Sequence, residues 1–180
     1  MSLITRFLAV AATALALVAA PAAQAQTLNF STSNGGDGSW AIINPYTNTF
    51  QITGTNNGAY NSVSLLTTTA PLAGVLNFSW DYLTHDVDGA AYDRAGYYLN
   101  GDYYQLSNNG GTVSQSGLGS LSLLAGDVFG FYINATDGIA GAATLTVSLT
   151  GFTQAVPEPE TAALMMAGLL ALGIARRRRA

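Results

Sequence analysis

From Val75 to Tyr82 the side chains alternate in character. Leu76, Phe78, Trp80 and Tyr82 fall on one side, and Val75, Asn77, Ser79 and Asp81 on the other. A period of two is the signature of a pleated strand with one face buried, and it spreads those four large side chains around a helix rather than gathering them on one stripe. The same period recurs at Leu145, Val147 and Leu149, with Thr144, Thr146, Ser148 and Thr150 opposite, and more weakly from Phe50 to Ile52. Phe129, Phe131 and Ile133 continue the set, with Gly130 marking a bulge or a close backbone approach.

Turn signals punctuate these runs at Asn34-Gly35-Gly36-Asp37-Gly38, Asn56-Asn57-Gly58, Asn108-Asn109-Gly110-Gly111 and Ala125-Gly126-Asp127. Asn100-Gly101, set between Tyr97-Tyr98-Leu99 and Tyr103-Tyr104, is the strongest hairpin signal, because both residues tolerate the positive φ of a type I′ turn. Twenty Gly in the chain, eighteen of them between residues 27 and 155, and no helical period in that stretch point to an all-β fold. We expect an antiparallel β-sandwich, jelly-roll-like, of about eight or nine short strands, rather than a closed barrel.

The two ends of the chain follow different rules. Arg6, an apolar stretch from Phe7 to Ala20, Pro21 and the small-residue site Ala23-Gln24-Ala25 stand in the order of a secretory signal peptide. A helix apolar on every side would otherwise need a partner that so short a domain lacks. Residues 1–25 are therefore read as a signal helix cleaved after Ala25, and residues 26–155 as the sandwich domain. At the other end, Val156, Pro157, Glu158, Pro159, Glu160 and Thr161 precede apolar residues 162–175 and then Arg176, Arg177, Arg178 and Arg179. The two prolines hold the motif extended and accessible. A helix over 162–175 would be about 21 Å long, short of a hydrocarbon core of about 30 Å. Four adjacent guanidinium groups nevertheless cannot be buried unpaired, whereas at a membrane edge they sit among headgroups on the cytoplasmic side. Residues 156–180 thus read as a single transmembrane helix with an extended motif ahead of it and an orienting arginine cluster behind.

This arrangement resembles the PEP-CTERM sorting domain of exopolysaccharide-producing Gram-negative bacteria. The resemblance implies recognition of Pro157, Glu158 and Pro159 by exosortase, removal of the helix, and release or transfer of the domain to the cell surface after transient anchoring in the membrane. It implies a substrate role for those residues and says nothing about the activity of the domain that the tail carries. The stretch from about residue 70 to 152 is similar to a domain recurrent among PEP-CTERM proteins. The similarity rests on Phe78-Ser79-Trp80-Asp81-Tyr82, Ala91-Tyr92-Asp93, Gly96-Tyr97, Leu99-Asn100-Gly101 and Ala125-Gly126-Asp127-Val128-Phe129-Gly130-Phe131, and it brings no catalytic residues with it.

Composition narrows the chemistry. With no Cys, the chain has no disulfide, thiolate metal site or cysteine nucleophile. It also has no Lys, and between residues 26 and 157 eight Asp face a single Arg, Arg94, a side-chain balance of about −7. Phosphate backbones are repelled by such a surface, so nucleic acid is not an expected partner.

Three chemistries remain to be weighed. His85 is the only histidine and no serine sits in a Gly-x-Ser-x-Gly context, so a Ser-His-Asp hydrolase is disfavoured. Asp81, Asp86, Asp88 and Asp93 cluster in sequence, and a pair of them is the alternative reading as a polysaccharide hydrolase. Against it, no glutamate lies outside the tail, and a solvated acidic loop explains the cluster equally. The cofactor expectation is none, with calcium on Asp86, Asp88 and Asp93 as the candidate, since carboxylates on a Gly-containing loop suit a hard cation although the EF-hand spacing is absent. Finally, Tyr97, Tyr98, Tyr103 and Tyr104 flank the hairpin. Because neighbours in a strand face opposite ways, each strand sends one tyrosine outward if the other packs inward, giving ring faces for pyranose stacking. Cross-strand packing that stiffens an edge hairpin is the plainer use of the same residues. The expectation is a non-catalytic surface or extracellular-matrix protein with an adhesive, structural or carbohydrate-contacting role.

Overall fold

The computed structural model describes residues 28–154 and Gly168. The expected signal segment with Ala23 and Ala25, and the tail from Val156 through Pro157, Glu158 and Pro159 to Arg176–Arg179, lie outside the described residues. Ten strands fill the described stretch: β1 (Ser31–Asn34), β2 (Ser39–Asn44), β3 (Thr49–Thr53), β4 (Ser62–Thr69), β5 (Gly74–Thr84), β6 (Asp93–Leu99), β7 (Asp102–Gln105), β8 (Ser114–Leu123), β9 (Val128–Ala135) and β10 (Ala143–Gln154). All pairings are antiparallel. One sheet has the order β1-β4-β9-β6-β7 and the other β2-β3-β10-β5-β8. Leaving out the short additions β1 and β2, strands β3 to β10 divide between the sheets as β3-β10-β5-β8 against β4-β9-β6-β7, alternating except at the β6-β7 hairpin, which is the connectivity of a jelly roll. Among the described residues, no helix is long and apolar enough to cross a membrane.

The alternation read from the sequence is the alternation of burial. In β5, Leu76, Phe78, Trp80 and Tyr82 are buried, while Val75, Asn77, Asp81 and Leu83 are exposed. Facing them from the other sheet, β9 contributes Phe129, Phe131 and Ile133. Four phenylalanine rings run through the middle of the sandwich, Phe30 to Phe50 at 5.2 Å between centroids, Phe50 to Phe131 at 5.6 Å, and Phe131 to Phe78 at 5.0 Å. Burying rings of this size is the main stabilising term, worth about 2–3 kcal/mol each. Strand β8 makes room for two of the large β5 side chains by having glycine opposite them, Gly117 at Trp80 and Gly119 at Phe78. Among the described residues, the buried and partly buried members of the core lie between Leu28 and Leu149, a stretch with a continuous core.

The hairpin expected at Asn100-Gly101 joins β6 to β7. Asn100 has φ 50° and Gly101 φ 107°, both in the left-handed region that a type I′ turn requires. The tip is pinned to the turn before β9: Asn100 Nδ2 donates to Asp127 Oδ1 at 2.9 Å, and Val128 N donates to Asn100 Oδ1 at 2.8 Å. The hairpin is therefore held at its tip as well as along β9, which fixes the position of its tyrosines.

Candidate functional site

Strand register sorts the four hairpin tyrosines into two pairs. Tyr97 lies opposite Tyr104 and Tyr98 opposite Tyr103. The first pair is on the core side of the sheet, where the rings stack at 4.8 Å and 11° and Tyr97 packs against the core. The second pair is on the outer side, at 5.3 Å and 67°. Burial does not follow this division simply. Both tyrosines of the edge strand β7 are open to solvent, and both of β6 are half-buried, because the last strand has no neighbour to cover either face. Tyr104 is thus on the inner side yet exposed.

The outer side of this sheet forms a concavity of about 350 Å³ lined by Val63, Arg94, Tyr103, Gln105, Tyr132 and Asn134. They come from the middle and edge of one sheet: Val63 from β4, Tyr132 and Asn134 from β9, Arg94 from β6, and Tyr103 and Gln105 from β7. Tyr103, 51% exposed, meets Tyr132 edge to face at 4.9 Å and 88°. Tyr132 is 5% exposed because its ring lies beside Gly96, its partner across β6, where a Cβ would come within 2.7 Å of Cε1. Gly96 therefore lets an aromatic ring lie close to the sheet and form part of a wall. Burial raises the Tyr132 phenol above its ordinary pKa, with the neighbouring Arg94 guanidinium pulling the other way.

Arg94 is exposed, and its hydrogen bond among the described residues is from Nε to the Ala91 carbonyl at 3.4 Å. Its Nη donors are left to solvent or to a ligand. Asn134 lies opposite it on β9, and the Oδ1 of that amide has no donor among the described residues. One exposed aromatic ring backed by a buried one, with a guanidinium and two amides around a shallow hollow, can stack against an apolar ring face and hydrogen-bond the substituents around it.

The aspartates are arranged differently. Asp86 is 3% exposed and Asp93 1%, whereas Asp81 and Asp88 are exposed. Thr84 links the buried two: its hydroxyl donates to Asp93 Oδ2 at 3.0 Å and accepts from Asp86 N at 3.0 Å. Asp86 Oδ1 accepts from Asp88 N at 2.7 Å, and its Oδ2 is buried without a partner. The Tyr82 hydroxyl donates to the Asp93 carbonyl at 2.8 Å. Burial pushes the Asp93 carboxyl up to about 6, opposed by the Thr84 hydrogen bond and reinforced by Asp86 and Asp137, and burial also raises Asp86. Asp137, on the loop after β9, thus joins Asp86 and Asp93 in one acidic neighbourhood. Among the described residues, no group of three or more His, Asp or Glu side chains is placed to hold a metal ion. The trio Asp86, Asp88 and Asp93 spans two buried carboxyls and one exposed one, and none of them lines the tyrosine concavity.

The sequence points to Tyr97, Tyr98, Tyr103 and Tyr104 without dividing them, and not to Arg94, Gln105, Tyr132 or Asn134 as neighbours of Tyr103. Arg94 was conspicuous in composition as the lone cation of the domain. Its place beside Tyr132 follows only from the pairing of β6 with β9, which no local pattern encodes.

Residues 155–179 match the model of the PEP-CTERM protein-sorting motif. No curated protein matches the sequence. Among solved structures, the chain is similar to a family 35 carbohydrate binding module from an environmental isolate, at 18% identity and a TM-score of 0.40 over 73% of this chain and 94% of that one. It is likewise similar to the CBM35 from Cellvibrio japonicus Abf62, at 16% identity and a TM-score of 0.38 over 74% of this chain and 95% of that one. Likenesses at these scores bear on neither site nor ligand.

Proposed function

From a chain that carries a PEP-CTERM sorting motif at residues 155–179, we propose an exported, surface-displayed protein, processed by exosortase, whose sandwich contacts extracellular carbohydrate without catalysis. The observation that carries the sugar reading is the concavity on the outer face of the β4-β9-β6-β7 sheet, where Tyr103 and Tyr132 meet edge to face beside Arg94, Gln105 and Asn134. A pyranose has an apolar face that fits an aromatic ring and a rim of hydroxyls that fit amides and a guanidinium, and the hollow offers both at one place. The aspartates favour binding over hydrolysis: glycoside cleavage needs two carboxyls flanking the bond, and this hollow has no carboxylate in its lining.

The experiment is affinity electrophoresis of residues 26–154 through gels containing a panel of bacterial and plant polysaccharides. Retardation by at least one polymer is expected, with Tyr103→Ala weakening it by roughly tenfold, the scale of one lost stacking contact. Tyr104→Ala, on the inner side, should leave retardation unchanged. No retardation by any polymer, or equal effects of the two substitutions, would contradict the reading.

A further inference from the structure

The hollow contains the one cation of the folded domain. There is no Lys in the chain, and Arg94 is the only Arg outside the two terminal segments. A domain with eight Asp could have used this guanidinium to neutralise one of them. Instead, Asp93, its immediate neighbour, points into the core, where it is 1% exposed, and Arg94 points out into a cavity whose six lining residues include no acid. A neutral sugar is served by the tyrosines and amides already present. A guanidinium whose Nη donors are unengaged, set between an aromatic wall and an amide, presents a planar fork that matches a carboxylate oxygen for oxygen.

We propose that this hollow selects an acidic sugar, with Arg94 pairing with the carboxylate of a uronic-acid residue while Tyr103, backed by Tyr132, contacts its ring. The inference rests on the sugar-contacting reading and adds the substrate class to it. The overall negative balance of the domain opposes a polyanion, but at 0.15 M salt that repulsion is largely screened beyond about 8 Å, and among the residues that line the hollow Arg94 is the one that carries a charge. The same balance argues against nucleic acid, whose phosphates are more densely charged and whose binding needs many cations rather than one.

Calorimetric titration at 0.15 M salt tests this on residues 26–154, which contain the core formed by the described residues. The probes are tetragalacturonate, the same oligosaccharide with its carboxyls reduced to alcohols, and dextran sulfate. Tetragalacturonate should bind at least roughly tenfold more tightly than its reduced form, the scale of a charge-assisted bidentate contact. Arg94→Gln should bring the two affinities together while leaving the melting temperature unchanged, and Arg94→Lys should restore only part of the preference. Equal affinity for the native and reduced forms in the wild type, or a preference that survives Arg94→Gln, would overturn the inference. If both forms bind equally and Tyr103→Ala weakens both, the acidic-sugar inference fails while the sugar-contacting reading stands. If neither binds, the acidic-sugar inference fails, and the sugar-contacting reading is decided by the electrophoresis panel. Binding of dextran sulfate as tight as that of tetragalacturonate would reduce Arg94 to a generic anion contact and would also overturn the inference.

Discussion

Asp93 and Arg94 are adjacent in β6 and opposite in charge, yet they never meet, because the pleat sends them to opposite faces of the sheet. Asp93 enters the sandwich beside Asp86, where the Thr84 hydroxyl donates to the Asp93 carboxyl and accepts from the Asp86 backbone N–H, in a setting that disfavours the charge of both carboxyls. Arg94 leaves the sandwich into a hollow built from rings and amides. The inner charge is a burden on stability that the fold offsets with a hydrogen bond from Thr84, whereas the outer charge burdens nothing and is available to a ligand. A β-sandwich can thus separate folding from recognition within two consecutive residues. Perturbations on the inner side should move stability and leave binding alone, and those on the outer side should do the reverse.

The largest effect should come from the neighbouring strand, where Phe131 faces in and Tyr132 faces out. Phe131 is fully buried and touches the rings of Phe50 and Phe78. Phe131→Ala should cost about 4 kcal/mol in chemical denaturation, by loss of buried area and the cavity left behind. A cost below that of an exposed tyrosine truncation such as Tyr103→Ala would collapse the distinction between the two faces.

A smaller effect should follow pH. The Asp93 carboxyl titrates in the folded protein near 6, above its ordinary value of 3.8, because burial penalises the ionised form. Its contribution is therefore most favourable below 3.8 and declines as pH rises from about 4 to 6. Asp86, shifted in the same direction by burial, adds to this trend. Asp37 and Asp127, held below the ordinary carboxylate range by hydrogen bonds from Thr55 and Leu124 respectively, oppose it only at more acid pH. Lowering the pH from 7 to 5 should raise stability by about 1 kcal/mol, or about 3 °C in melting temperature. In Asp93→Asn the slope over that window should flatten. A melting temperature that falls between pH 7 and 5 would contradict the placement of Asp93 on the inner side.

The smallest effect concerns calcium. With Asp88 exposed while Asp86 and Asp93 are buried, we expect the melting temperature of metal-free protein in millimolar calcium to match that in chelator within about 1 °C, since only a ligand of the native state raises it. A larger rise that Asp86→Asn abolishes would instead make the unpartnered Asp86 oxygen a cation ligand.

How much of this was legible in the sequence differed between elements. Strands with one buried face announced themselves: the period of two in β5 and β10 is the burial pattern itself, whereas β9 is buried on both faces from Phe129 to Ile133. Strands β1 and β2 did not, since β1 is Ser-Thr-Ser-Asn with all four residues exposed, and β2 is exposed along most of its length. They are held by pairing with β4 and β3 rather than by a hydrophobic face, so no local periodicity marks them, and the expected count of eight or nine strands fell short of ten. The Asn100-Gly101 turn was legible because its chemistry is local. The division of the tyrosines between two faces followed from the pleat, but the exposure of Tyr104 did not, because it depends on β7 being the last strand of its sheet. The contribution of Tyr132, Gln105, Asn134 and Arg94 was illegible for a similar reason: it requires β6 to pair with β9 across some forty residues of chain.

The central claim is that recognition belongs to the outer face of the β9-β6-β7 edge and not to the acidic end or the opposite sheet. Amide and side-chain NMR of residues 26–154, titrated with tetragalacturonate and separately with its carboxyl-reduced form, tests it most directly. The account predicts shifts concentrated at Arg94, Tyr103, Gln105, Tyr132 and Asn134, with Tyr97, Asp86 and Asp93 unmoved and the Arg94 guanidinium responding to the acidic form alone. Shifts centred on Asp86 and Asp93, on the outer face of the β5-β8 edge, or nowhere at all would contradict it.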